Sequence, residues 1–309
     1  MADIAQDAQI SPDESAVSGA SKLFFFLWDA AWSHAPGTVE ADADALHDMR
    51  VDLRRLRTAM SNFEGSKKAP LLSKSLRGEI RGARAEIGAL GDKLGAVRDY
   101  DVLEEYVLKY QKKFVKLEVG AGSGLADLIQ ALQKERAEAF KPMVKKIQRA
   151  DKPGEVREEL GRWALGLPAA KVEKLSYREA AKRVLAGRLN EVFTHENSLQ
   201  DGAEPEEQHE LRKSLRRVRY TLETMSVCFE KPVKPFIKTL VEMQDTLGEM
   251  QDRAVLAEVT TRIFEGELPE DVAAFNQHGV QKHGELLETT RRKWKEAGEK
   301  GFWDSLRAL

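Results

Sequence analysis

The chain has 309 residues, 49 of them basic and 51 acidic, for a formal net charge of −2. That length buries a core without a covalent staple, and a lone cysteine, Cys228, excludes an internal disulfide framework and any multi-thiolate metal site. The near-neutral sum provides no overall field for a polyanion, so a partner of that kind has to be met by locally segregated charge.

The acidic, Ser-rich residues 1–18 are expected to be a disordered tail. From there on, apolar residues recur at spacings of three and four, and no stretch alternates with period two, which predicts an all-α fold. The predicted helices run from Ser21 to His34, Ala41 to Phe63, Pro70 to Tyr110, Leu125 to Arg149 and Glu155 to Leu165. They continue from Tyr177 to Glu196, Glu204 to Phe229, Pro235 to Phe264 and Pro269 to Lys300. Breaks are expected at Ala35-Pro36-Gly37, Gly65 to Pro70, Gly120 to Gly124, Pro153-Gly154, Leu167-Pro168-Ala169 and Lys231-Pro232. The longest apolar run, Leu23 to Trp28, is too short to span a bilayer and reads as core. The first residues lack the basic start and long apolar stretch of a signal peptide, so the expected location is the cytoplasm.

A long-range duplication organises the rest. His47-Asp48-Met49-Arg50-Val51-Asp52-Leu53-Arg54-Arg55-Leu56-Arg57 returns as His209-Glu210-Leu211-Arg212-Lys213-Ser214-Leu215-Arg216-Arg217-Val218-Arg219. A second block, Leu94-Gly95 to Val102-Leu103, returns as Leu247-Gly248 to Val255-Leu256. Two matched blocks in one order predict two similar helical halves, about 20–150 and 155–309, related by a pseudo-twofold axis within a single domain of residues 20–309.

At about 100° per residue, His47, Arg50, Arg54 and Arg57 fall in one sector roughly 80° wide. Leu46, Met49, Leu53, Leu56, Met60 and Phe63 form the neighbouring core face, and Asp48, Asp52 and Arg55 the outward one. His209, Arg212, Arg216 and Arg219 repeat the stripe, which Lys213 and Tyr220 widen, beside a core face of Leu211, Leu215, Val218, Leu222 and Met225. Arginines stacked one turn apart repel unless an anion lies beside them, and guanidinium forks match phosphate oxygens in pairs. The stripe therefore reads as a site for a phosphate-rich polyanion, with each histidine an additional donor that a bound phosphate would hold protonated.

Further cations join it. Lys74, Arg77, Arg81 and Arg84 share one side of the next helix, and Gly88, Gly91 and Gly95 continue that line, implying close approach of a helix or ligand. Arg98 belongs to the same side, and Arg178, Lys182, Arg183 and Arg188 occupy the helix that opens the second half. Lys231, Lys234 and Lys238 start a comparable ladder, but Glu242, Asp245, Glu249 and Asp252 continue it, so the second half is expected to be partly self-neutralised.

With its doubled His-acid-hydrophobe-Arg start, closely spaced arginines and following Leu-Gly…Asp…Val-Leu block, the sequence resembles the conserved histidine α-helical domain (CHAD) family over residues 20–300. The resemblance implies two four-helix-bundle-like halves around a basic central channel lined by the two stripes, with inorganic polyphosphate as ligand. It places Arg98 before Asp99 as the family often does, whereas Gln251 stands before Asp252. Many members also carry a triphosphate-tunnel domain, but no Glu-x-Glu-x-Lys motif occurs near this N-terminus.

The expectation is a non-enzymatic polyphosphate-binding module, a scaffold or a tether to polyphosphate granules, with no cofactor, metal, catalytic residue or membrane partner. The alternatives are a metal-dependent phosphohydrolase using His47-Asp48, a nucleic-acid binder, for which Trp294 beside Arg291, Arg292 and Lys293 is the local signal, and a protein-interaction scaffold whose arginines are internally paired.

Overall fold

The computed structural model describes residues 4–65, 71, 74–114, 123–166 and 175–309. The described residues form α-helices and short 3-10 turns, with one isolated bridge between Ser15 and Ser176 and no strand. In chain order they are α1 (Ile4–Asp7), α2 (Ala16–Ser33), α3 (Ala35–Val39), α4 (Ala43–Glu64), α5 (Lys74–Phe114) and α6 (Gly124–Ala150). After α7 (Val156–Gly166) and α8 (Tyr177–Phe193) come α9 (Pro205–Thr224), α10 (Lys234–Ile263), α11 (Glu270–Glu299) and α12 (Phe302–Arg307). Of the expected breaks, Gly65 to Pro70 and Gly120 to Gly124 lie mostly, and Leu167 to Ala169 wholly, outside the described residues. No helix among the described residues is long and apolar enough to cross a membrane.

Local chemistry starts these helices. Asp42 Oδ1 accepts from the amides of Asp44 and Ala45 ahead of α4, and Ser176 with Glu179 closes a capping box on α8. Pro205, at the first turn of α9, has no amide to leave unsatisfied there. α5 is the longest element at 41 residues, roughly 60 Å at 1.5 Å per residue.

One large apolar cluster joins α2, α4, α8, α9 and the first parts of α5 and α10. A second, smaller cluster lies at the far ends of α5, α6, α10 and α11, where Leu103 and Val107 meet Leu125, Leu128, Leu256 and Phe275. Both clusters take residues from before and after position 150, so the two parts of the chain share their cores.

Residues 4–18 are not the expected disordered tail. Ile4, Ala5, Ile10, Ala16 and Val17 are buried. Backbone bonds fix the segment to the start of α8: Ala16 N donates to Leu175 O at 2.7 Å, Tyr177 N to Glu14 O at 2.8 Å, and Arg178 N to Pro12 O at 2.9 Å. The apolar residues there are too sparse to show a period, yet they cover the core beside Tyr177. α2 consequently begins at Ala16 rather than Ser21, and Gly19 allows it to cross close to the Tyr177 ring. Two further elements differ from expectation. The Ala35-Pro36-Gly37 break forms the short α3, with Pro36 in its first turn, and α12 closes the core with Trp303 and Leu306.

Candidate functional site

The two copies of the stripe lie on α4 and α9, which contact each other in the middle of the molecule. All six apolar positions assigned to the core face of α4, and all five on α9, are buried. The third face of α4 departs from expectation, because Arg55 turns toward α9 instead of outward. Its Nε donates to Glu223 Oε2 at 3.0 Å and its Nη1 to Asp52 Oδ1 at 2.9 Å. The Glu223 side chain is only 4% exposed and also receives Arg219 at 3.4 Å. Burial opposes the Arg55 charge, but Glu223 and Asp52 outweigh it and raise its pKa. This network ties α4 to α9.

Beside it opens a cleft of about 680 Å³. α4 supplies Arg54, Arg57, Thr58 and Ser61, α5 supplies Arg84, α8 supplies Arg188 and Glu191, and α9 supplies Glu210, Lys213, Arg216 and Arg217. Seven cations thus face two carboxylates. A smaller cavity of about 330 Å³ adjoins it, sharing Arg54 and Arg57 and adding Arg50, Gly91, Gly95 and Asp99.

The cations fall into two groups. Arg188 is held in place by Glu191 at 2.9 Å, Asn62 at 2.9 Å and Ser61 at 2.8 Å; Arg217 also bonds Glu191, and Lys213 bonds Glu210 at 2.6 Å. Among the described residues, by contrast, Arg54, Arg57, Arg212 and Arg216 form no ion pair. Arg54 Nε is buried without a hydrogen-bond partner, and so is the hydroxyl of Tyr220. Burial, with Arg50, Arg212 and Arg219 as like-charged neighbours, pushes Arg54 below its ordinary pKa. Burial together with Arg54, Arg212 and Arg217 does the same to Arg216. A guanidinium starts so far above neutral pH that both remain charged, and the downward push records a fold that holds repelling cations together.

The glycine line has a specific cause: arginine side chains lie across it. A Cβ on Gly88 would stand 3.5 Å from Arg57 Cζ, and one on Gly95 would stand 3.4 Å from Arg50 Nη2. In the second copy the approach is closer, with Arg212 Nη2 2.9 Å from a Cβ on Gly248. The two duplicated blocks are therefore one device in which the first supplies the arginine and the second the glycine that receives it.

Of the residues expected in the site, Arg54, Arg57, Arg84, Lys213 and Arg216 line the main cleft, and Arg50 the adjoining cavity. His47 and His209 sit at the start of the second turn of their helices outside both linings, within electrostatic reach of Arg50 and Arg54 and of Arg212 and Arg216 respectively. Burial is the largest influence that lowers both imidazole pKa values, and the neighbouring cations add to it. Arg219 lies 4.7 Å over the Tyr220 ring, Arg98 is 3.8 Å from Asp101, and Arg77 buries an unbonded Nε. Arg81 is spent on Glu64 at 2.7 Å. Arg183 lines a neighbouring pocket with Arg188, whereas Lys182 lines another beside Arg307. Lys234 and Lys238 are exposed on α10 and line neither of the two cavities. Arg217, with Thr58 and Ser61, was not singled out in the sequence, and Arg188 was grouped there with cations that go elsewhere. Their common signal is proximity across helices, which no single-helix period carries.

Two other expectations find different uses. Arg291 is engaged by Asp201, Glu288 and the Leu199 carbonyl, and Trp294 stacks among Phe193 and Trp303, so that segment is structural. Among the described residues no three His, Cys, Asp or Glu side chains converge as a metal-binding group.

A family model described as CHAD domain matches residues 24–261. Among solved structures, the CHAD domain from the plant Ricinus communis is similar at a TM-score of 0.65 and 21% identity, covering 97% of this chain and 92% of that one. PptA from Streptomyces chartreusis is similar at a TM-score of 0.67 and 14% identity, covering 93% of this chain and 100% of that one. No match is found among curated proteins.

Proposed function

This chain belongs to the CHAD domain family, and on that premise we propose that it binds inorganic polyphosphate, or a polyanion of similar phosphate density, without transforming it. The observation that carries the reading is the set of stripe arginines that form no ion pair among the described residues: Arg54, Arg57 and Arg216, which line the cleft, and Arg212 next to them on α9. A chain of phosphates supplies the missing counter-charge at close, regular intervals, and paired guanidinium–phosphate bonds suit that geometry. Arg188 and Arg217, already oriented by Glu191, present further forks without having to be ordered on binding. The protein then acts in the cytoplasm as a scaffold or as a tether to polyphosphate granules.

The test is a salt-dependent binding isotherm on polyphosphate. Each phosphate contact contributes a log–log slope of roughly −0.7, by analogy with single-stranded nucleic acids. Arg54→Ala combined with Arg216→Ala is expected to weaken binding by roughly 1.5–3 kcal/mol for each charged hydrogen bond lost. A folded double variant that binds polyphosphate as the parent does would overturn the reading. Equal competition by RNA would make the site a general polyanion groove, and release of phosphate by the purified protein would show that it is an enzyme.

A further inference from the structure

The arginine stripes are compensated at one level and bare at the next. Arg50 Nη2 donates to Asp99 Oδ1 at 2.9 Å while its guanidinium lies against Gly95. Asp99 is one helical turn beyond that glycine on α5. In the second copy Arg212 lies against Gly248, and Asp252 is one turn beyond it on α10. Burial raises the Asp252 pKa, with Arg212 and Arg50 opposing the rise and Asp99 adding to it, so Asp252 lies within electrostatic reach of all three where α5 approaches α10. Arg50 is paired with Asp99 there, and Asp252 stands near Arg212 without a direct ion pair among the described residues. One turn along each stripe, Arg54 and Arg216 form no ion pair among the described residues. Carboxylates thus stand near the Arg50–Arg212 level, while at the far end of the stripes Arg219 reaches Glu223 and Arg57 forms no ion pair among the described residues. Elsewhere in the acidic run of α10, Glu242 and Asp245 are exposed, and Glu242 lines a separate groove beside Phe236 and Lys293.

Resting on the polyphosphate reading above, we propose that Asp99 and Asp252 are an end stop for the polyanion track. Asp99 is paired with Arg50, Asp252 lies within electrostatic reach of both stripe arginines, and the two carboxylates present negative charge to a phosphate chain that would otherwise continue from the main cleft into the adjoining cavity. That cavity has room for it: about 330 Å³, lined by Arg50, Arg54 and Arg57, with the carboxylates of Asp92 and Asp99 also in its wall. Asp99 is 59% exposed and its repulsion on a phosphate is softened by water, whereas Asp252 is more enclosed and acts at a lower dielectric. The stop therefore limits how many phosphates one molecule engages and sets its discrimination between short and long chains.

The experiment compares tripolyphosphate with long-chain polyphosphate on the parent, on Asp99→Asn with Asp252→Asn, and on a control lacking two exposed carboxylates elsewhere, Asp29→Asn with Glu299→Gln. Opening the track should raise long-chain affinity about tenfold, the low end for gaining a charged contact, and steepen the salt slope by roughly 0.7 per added phosphate contact. Tripolyphosphate affinity and the control should stay near the parent. Circular dichroism checks the fold. If the double variant does not fold, Asp252→Asn alone carries the test, since Asp252 has no direct ion pair among the described residues. An unchanged long-chain affinity, or equal gains for both probes or in the control, overturns the end stop while leaving the binding reading intact. No binding of either probe by the parent would instead remove the binding reading, and the stop with it.

Discussion

His47 and His209 open the two stripes in surroundings that oppose their protonation. Burial and the nearby cations hold both below the ordinary imidazole value, outweighing the favourable influence of Asp48 on one and Glu206 on the other. A base depressed in the folded state contributes stability above its unfolded pKa of about 6.5 and loses it as pH falls through the folded value. Bound phosphate reverses the local field, so binding draws protons onto the same rings. Acidification from about pH 7.5 to 5.5 is therefore expected to lower the melting temperature of the free protein and to raise its affinity for polyphosphate. His47→Gln with His209→Gln should flatten both trends, as thermal melts and titration calorimetry across that range would register. A polyphosphate affinity that ignores pH in the parent would exclude the histidines from the binding field.

At the scale of elements, the most informative pairing is α9 with α10 through Arg212 and Gly248. Alanine at position 248 would place its Cβ 2.9 Å from Arg212 Nη2, and the flexible guanidinium is what gives way. Replacing a mid-helix glycine by alanine stabilises a helix by about 1 kcal/mol. Gly248→Ala is thus expected to melt slightly higher than the parent yet bind polyphosphate more weakly, because Arg212 has lost its bed. A variant weakened in both respects would point to backbone strain instead. The faces of α4 and α9 were legible in the sequence, because one helix's own period sets which residues share a side. The glycine line was legible only as a need for close approach. That its occupant is an arginine from a neighbouring helix, and that Arg55 turns inward to Glu223, depend on pairings between helices that no single period encodes.

Across the whole molecule, the fold carries an electrostatic burden at its centre that a bound anion would lift. Arg54 and Arg216 are partly buried, repel one another and their neighbours, and form no ion pair among the described residues. Such an arrangement lowers the stability of the free protein, and replacing an uncompensated charge by an apolar chain of similar length relieves it. Arg54→Met is expected to stabilise the unliganded protein by about 1 kcal/mol while weakening polyphosphate binding. The parent, in turn, should gain about 2.7 kcal/mol at a polyphosphate concentration one hundred times Kd, a rise of roughly 5 °C in Tm. The two variants' melting curves should therefore cross, with Arg54→Met the more stable without polyphosphate and the parent the more stable with it. The charge asymmetry behind this crossing was partly visible in the sequence as two arginine stripes in a chain of almost no net charge. Which arginines are bare was not, since it depends on where Asp99, Glu191 and Glu223 come to rest in three dimensions. Melting curves that kept the same order with and without polyphosphate would show that the central arginines are tolerated for a reason other than an anion.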